Sequence, residues 1–189
     1  MHKNSLSLRD RYGQRKYLNQ KERLIFLEVS RKEPTEVKLF CQLLFYTGAR
    51  IAEIHNLRPE SIDYSSETVV IESLKKRKPG IYREIPLPQV LLQELADYSR
   101  KLNTMTGSRL WSFSLRTASR QVKRVMRKAG IKGVRSSAKG LRHGFAVYAV
   151  TKAPLTMVKK WLGPSALETT EIYLNIVGAE EREIASRIW

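Results

Sequence analysis

Three short clusters in this chain combine residue types suited to phosphate chemistry. In Thr47-Gly48-Ala49-Arg50-Ile51-Ala52-Glu53 an arginine directly follows a glycine turn, and a glutamate stands three residues on along a new helix. Arg50 and Glu53 therefore share a face, where a guanidinium offers a rigid fork of donors to a phosphate and a carboxylate holds that fork in place. In Lys139-Gly140-Leu141-Arg142-His143-Gly144-Phe145-Ala146, Lys139 and Arg142 project from one side of a helix while Leu141 and Phe145 project from the other. His143 borders the apolar side. The third cluster runs from Trp161-Leu162-Gly163-Pro164 to Tyr173 and puts a tyrosine after a glycine-terminated helix. A phenol is largely protonated at neutral pH, so it becomes a nucleophile only where cations favour the phenolate. Between the first two clusters, Lys75-Lys76-Arg77-Lys78-Pro79-Gly80 crowds four cations into one turn.

Taken singly, each cluster has an ordinary explanation. An Arg/Glu pair three apart is usually a solvated surface pair worth roughly 0.2–0.5 kcal/mol. A lone histidine beside an apolar face is usually structural, and Tyr173 is one of eight tyrosines. What gives the clusters weight is their occurrence together, in a fixed order, on a strongly basic chain.

The 189 residues carry 35 Lys and Arg against 18 Asp and Glu, a formal net charge of +17, which implies an anionic partner, most often nucleic acid. A hydrophobic fraction of 42% places that charge on a folded protein rather than on a disordered basic tail. The single Cys41 excludes an intramolecular disulfide and a Cys-rich zinc site, and its neighbours Leu39, Phe40, Leu43 and Leu44 predict a buried thiol. The first ten residues lack the apolar core of a signal peptide, and no stretch approaches the roughly 18 apolar residues of a membrane span. A soluble cytoplasmic protein, associated with the nucleoid, is the expectation. Binding to a membrane surface would call for one amphipathic basic helix, whereas here Lys and Arg are scattered through every segment.

The elements that must position these clusters read as follows. Residues 1–18 are polar and basic and predict a mobile arm able to lie along phosphates; residues 19–189 predict one domain. A first helix begins at Asn19, and a second, capped by Thr35, carries Phe40, Leu43, Leu44 and Thr47 and stops at Gly48. A short third helix turns Ile51, Ile54 and Leu57 inward and closes at Arg58-Pro59. Thr68-Val69-Val70-Ile71 and Tyr82 to Leu87 predict the two strands of a hairpin around the basic turn. Helical stripes follow from Pro88, from Ser114 to Ala129 with Gly130 as its stop, around Leu141-Phe145-Tyr148 and around Leu155-Val158-Leu162, with two short helices closing the chain. The predicted fold class is mainly α with one small antiparallel β-hairpin or sheet.

With these residues in order, the sequence resembles the catalytic domain of the tyrosine recombinases, or phage-type integrases, over about residues 19 to 189. Box I of that family is matched by Leu44-Phe45-Tyr46-Thr47-Gly48-Ala49-Arg50 with Glu53. The hairpin lysine is matched by Leu74-Lys75, the second box by Lys139 to Phe145, and the nucleophile segment by Leu162-Gly163 through Thr170 to Tyr173. Two positions depart from the family pattern. Lys139 stands where histidine is usual and keeps a phosphate-binding donor. Pro164 stands where histidine or tryptophan is usual and has no side-chain donor, which weakens the expectation of strong activity.

The resemblance implies a reaction without metal, nucleotide or other cofactor. Tyr173 attacks a DNA phosphodiester and forms a 3′-phosphotyrosyl bond, while Arg50, Arg142 and Lys139 stabilise the phosphorane. Lys75 is the general acid to the leaving 5′ oxygen, with Lys76 as the alternative; Glu53 supports the arginines and His143 is structural. Lys76, Arg77, Lys78, Arg120, Lys123 and Arg124 are the expected contacts to duplex DNA, the last three on the basic helix from Arg116 to Lys128. The resemblance also implies a homo-tetramer on double-stranded DNA carrying specific recombination sites, joined through a C-terminal helix with Ile184, Ile188 and Trp189. The family's separate N-terminal clamping domain has no room here, as in short inversion recombinases or in a fragment of a longer protein. The rival expectations are a DNA-binding protein of the same fold with weak or lost catalysis, and a basic RNA-associated protein.

Overall fold

The computed structural model describes residues 8–74, 80–102, 107–163 and 185–186. At the centre lies α2 (Thr35–Thr47), in which Leu39, Phe40, Cys41, Leu43 and Leu44 are all within 1% of full burial. A helix apolar on every side has to be surrounded, and α1 (Gln20–Arg31), α4 (Gln89–Lys101), α5 (Leu115–Lys128) and α6 (Ala138–Lys152) surround it. Asn19 caps α1 with a reciprocal pair: its side chain accepts from Glu22 N at 2.9 Å, and Glu22 Oε2 accepts from Asn19 N at 3.0 Å. Ser114 and Ser137 cap α5 and α6 from one side only, accepting from Thr117 N and Gly140 N. Thr35, predicted as the cap of α2, is instead its first residue, and the extended Pro34 takes the cap position. Pro88 likewise precedes α4 rather than opening it.

α2 stops at Gly48, which is left-handed at φ 59°. The short α3 (Ile51–His55) follows, then a 3₁₀ turn at Pro59–Ser61 and three strands: β1 (Ile62–Asp63), β2 (Thr68–Glu72) and β3 (Tyr82–Pro86). They form one antiparallel sheet in the order β1-β2-β3, with Val69 opposite Ile85 and Ile71 opposite Arg83. β1 was not predicted; two residues are too few for an alternation to show. Along β3, Arg83 and Ile85 face inward and Tyr82, Glu84 and Pro86 outward.

α7 (Leu155–Leu162) packs on α6 and ends at Gly163, φ 85°. Phe145, Ala146, Val147, Ala149, Val158 and Leu162 form a second apolar cluster, to which Leu8 and Tyr17 contribute. The predicted mobile arm is therefore corrected for its described part. Leu8, Tyr17 and Leu18 are 9%, 5% and 0% exposed, and Leu18 N–H donates to Gly140 O at 3.2 Å. The apolar residues spaced through the basic stretch hold it down on α6. All of the predicted turn 75–80 except Gly80, the segment from Pro164 to Tyr173 and all but two residues of the predicted closing helices lie outside the described residues. Among the described residues no helix is long and apolar enough to cross a membrane.

Candidate functional site

Gly48 is what lets the chain turn from α2 straight into the Arg50 segment. Its backbone is left-handed, and a Cβ there would lie 2.3 Å from Phe145 Cδ1, so α6 approaches closer than any side chain permits. That approach brings Arg142 to the turn: Nη1 donates to Gly48 O at 2.8 Å, and Nη2 donates to Leu162 O at 2.9 Å. The second box is thus tied both to the residue two before Arg50 and to the end of α7. Lys139, one turn earlier on α6, is exposed.

Arg50 caps α3 with its partner three residues on. Glu53 Oε2 accepts from Arg50 N at 2.8 Å, and Oε1 accepts from Arg50 Nη1 at 2.9 Å. This is not a solvated surface pair, since the Glu53 side chain is 0% exposed and that of Arg50 27%. Burial alone would raise the Glu53 carboxyl, but hydrogen bonding and charge from Arg83, then from Arg50, hold it below the ordinary glutamate value.

Arg83 is the site residue that the sequence reading missed. Its Nη2 donates to Glu53 Oε2 at 2.6 Å, Nη1 to Ser73 Oγ at 3.1 Å and Nε to Trp161 O at 2.7 Å. The available signal was strand alternation, since the inward register that buries Ile85 also buries Arg83.

His143 is partly buried beside the cations. Burial first, then the charges of Lys139, Arg142 and Lys16, lower its imidazole to about 4, so it is neutral at physiological pH. Among the described residues no group of acidic, histidine and cysteine side chains is arranged to hold a metal ion. Cys41 is fully buried, and its thiol is pushed up to about 12 by burial first and then by Glu33.

On the basic helix α5, Arg120 and Lys123 are exposed and, with Thr117, Gln121, Arg124 and Arg127, line a shallow groove of about 490 Å³. Arg124, also an expected DNA contact, lines the same groove and is at the same time ion-paired. Its Nη2 donates to Glu33 Oε2 at 2.6 Å, and Lys128 Nζ donates to Glu33 Oε1 at 2.6 Å. The Glu33 side chain is 3% exposed, and a buried carboxylate needs such partners. Lys75, Lys76, Arg77, Lys78 and Tyr173 fall outside the described residues.

A mostly helical domain with a small three-stranded antiparallel sheet is the catalytic-domain fold of tyrosine recombinases. The chain belongs to the phage integrase family, whose sequence profile matches residues 16–179. It is 30% identical over 182 residues to the tyrosine recombinase XerA of Pyrococcus furiosus, covering 91% of this chain and 61% of that protein. The crystal structure of XerA recombinase superposes with a TM-score of 0.76 at 25% identity, over 91% of this chain and 64% of that one. The XerH recombinase bound to its difH substrate, 22% identical, shares the fold at a TM-score of 0.73 over 96% of this chain and 59% of that one. The chain therefore spans about three-fifths of the length of these relatives.

Proposed function

We propose that this domain, residues 19–189, cuts and rejoins duplex DNA at specific sites through a covalent 3′-phosphotyrosyl intermediate. The observation that carries the reading is the double anchorage of Arg142 to Gly48 O and Leu162 O. It ties the second box to the Arg50 turn and to the last turn of α7, from which the sequence runs on to Tyr173. In the proposed step the Tyr173 phenolate oxygen bonds to phosphorus and the bond from phosphorus to the 5′ oxygen breaks. Lys75 gives its proton to that leaving oxygen, with Lys76 as the alternative donor. Arg50, Arg142 and Lys139 offset the charge that grows on the phosphorane; by analogy with a lost oxyanion donor, removing one arginine raises the barrier by about 3–4 kcal/mol. The phosphotyrosyl bond retains the energy of the diester, so a 5′-hydroxyl from another strand reverses the step.

Duplex DNA as the partner is supported by the +17 charge, the exposed cations of α5 and the difH complex of XerH. Lys76, Arg77 and Lys78 are read as further phosphate contacts. The chain is read as assembling on DNA as a homo-tetramer, supported by Ile184, Ile188 and Trp189 at helical spacing, and as residing with the nucleoid. A second reading, DNA binding with weak catalysis, is favoured by Pro164, which offers a phosphate no donor.

A nicked suicide duplex separates the two. The expected result is a denaturation-resistant protein–DNA adduct that forms with the wild-type chain and is absent from Tyr173→Phe, with DNA binding retained in both. Binding without an adduct in the wild type would establish the second reading.

A further inference from the structure

Arg83 takes no part in the proposed reaction steps, yet its guanidinium makes three hydrogen bonds beside the site. It is the second residue of β3, opposite Ile71, with its side chain only 4% exposed. A guanidinium withdrawn from water must be compensated on most of its donors. Here three N–H groups go to three separate stretches of chain: the Glu53 carboxylate on α3, the Ser73 hydroxyl just beyond β2, and the main-chain carbonyl of Trp161 in the last turn of α7. Carbonyls in a last helical turn have no donor within the helix, so Arg83 and Arg142 between them take two consecutive ones, Trp161 and Leu162. The chain then leaves α7 around Arg83: a Cβ at Gly163 would lie 3.5 Å from both its Cδ and its Nη1.

The three acceptors stand at informative places in the sequence. Glu53 holds Arg50, Ser73 precedes Lys75 by two residues, and Trp161 heads the segment that runs to Tyr173. A planar fork fixes the angles among whatever it bonds, which a flexible ammonium does not. We infer that Arg83 is a positioning residue, setting from one guanidinium the relative placement of α3, the residues just after β2 and the last turn of α7, the described stretches from which the sequence runs on to the proposed acid and nucleophile and which hold a phosphate-binding arginine. The inference rests on the recombinase reading for the identity of those three groups. Being shielded from solvent, Arg83 acts on the geometry of the reaction and not on DNA affinity.

The test uses the full chain as wild type, Arg83→Met and Arg83→Lys, with two independent readouts. The first is amide hydrogen exchange at Ser73, whose N–H donates to Ile81 O at 2.8 Å, and at Gly163, whose N–H donates to Lys159 O at 2.9 Å. Arg83→Met accelerates both by about tenfold or more while the amides of α5 keep their rates, the mark of local rather than global opening. The second is single-turnover adduct formation on the nicked duplex, which falls about 100-fold, as for a misplacement of about 1 Å. Duplex affinity stays within about threefold, and Arg83→Lys recovers part of the rate. Unchanged protection at either amide, or affinity falling in step with cleavage, overturns the assignment. If the wild type makes no adduct, the recombinase reading fails, and the exchange result alone decides whether Arg83 joins these segments. Should Arg83→Met not fold, Arg83→Lys carries both measurements, since it keeps the charge and loses the fork.

Discussion

Arg142 donates from Nη1 to the carbonyl oxygen of Gly48 at 2.8 Å, across 94 positions of the chain. The bond exists because Gly48 is both left-handed and bare. Gly48→Ala places a methyl group 2.3 Å from Phe145 Cδ1 and 2.6 Å from its Cγ, in a backbone conformation that L-residues resist. The backbone strain costs about 1–2 kcal/mol and the forced repacking of Phe145 about 1–3 kcal/mol, so the substitution removes about 2–5 kcal/mol of stability. Urea titration reads this as a lower midpoint at unchanged slope. A loss under about 1 kcal/mol would mean that α6 moves aside freely, and the clasp would then be loose.

Glu53 is wholly buried between Arg50 and Arg83. Glu53→Ala leaves the buried Arg83 without its carboxylate, and breaking such a pair costs about 3–5 kcal/mol. The pH dependence has a definite sign. Because the two arginines outweigh burial and depress the native carboxyl, its stabilisation is complete above the unfolded glutamate value of about 4.3 and fades as pH falls through the lower native value. Wild type therefore loses stability below about pH 4, and Glu53→Gln loses less of it over the same window. Urea midpoints from pH 3 to pH 7 check this; parallel curves for the two proteins would contradict it.

His143 adds to the acid loss of stability, and does so from a higher pH. Burial and the cations Lys139, Arg142 and Lys16 hold its native value at about 4, while the unfolded imidazole titrates near about 6.5. Between these values the unfolded chain takes up a proton that the native chain refuses, so stability falls as pH drops from about 6.5 toward 4. The full effect is on the order of 3 kcal/mol. His143→Gln flattens that part of the profile, and a nitrogen-15 titration of the ring shows no protonation above about pH 5. A ring that titrates near 6.5 in the folded protein would sink this account.

Much of this arrangement was legible before the fold was known, and what was not had physical reasons. The helices around α2 were visible because their apolar residues recur at the helical period and their ends carry Asn19, Gly48, Ser114 and Gly130. Arg50, Glu53, Lys139 and Arg142 stood out because their spacing placed them on shared faces and their order matched a family. Arg83 did not: a single arginine in a strand is ordinarily solvated, and only its register opposite Ile71 shows that it is buried. The burial of Glu53 was hidden for the same reason, since its second partner lies 30 residues away on another element. Leu8, Tyr17 and Leu18 sit within a basic stretch, and their packing on α6 and α7 depends on a surface assembled from a distant part of the chain.

The cations of α5 divide into two sets that charge counting alone cannot separate. Arg120 and Lys123 are exposed, so each is available to displace a counterion from DNA. Arg120→Ala and Lys123→Ala should each lower the slope of log affinity against log salt by about 0.9, uniformly across duplex sequences. Arg124 is held by the buried Glu33 carboxylate together with Lys128. Arg124→Ala therefore changes that slope by less than half as much. It weakens folding instead, because Glu33 then keeps one partner in place of two. Glu33→Ala frees both cations from their shared carboxylate and steepens the slope by up to about 1.8. Fluorescence anisotropy of a labelled duplex across a salt series, paired with urea unfolding of each variant, measures both effects. A slope that drops as far for Arg124→Ala as for Arg120→Ala would put Arg124 on the phosphate backbone and leave Glu33 with Lys128 alone.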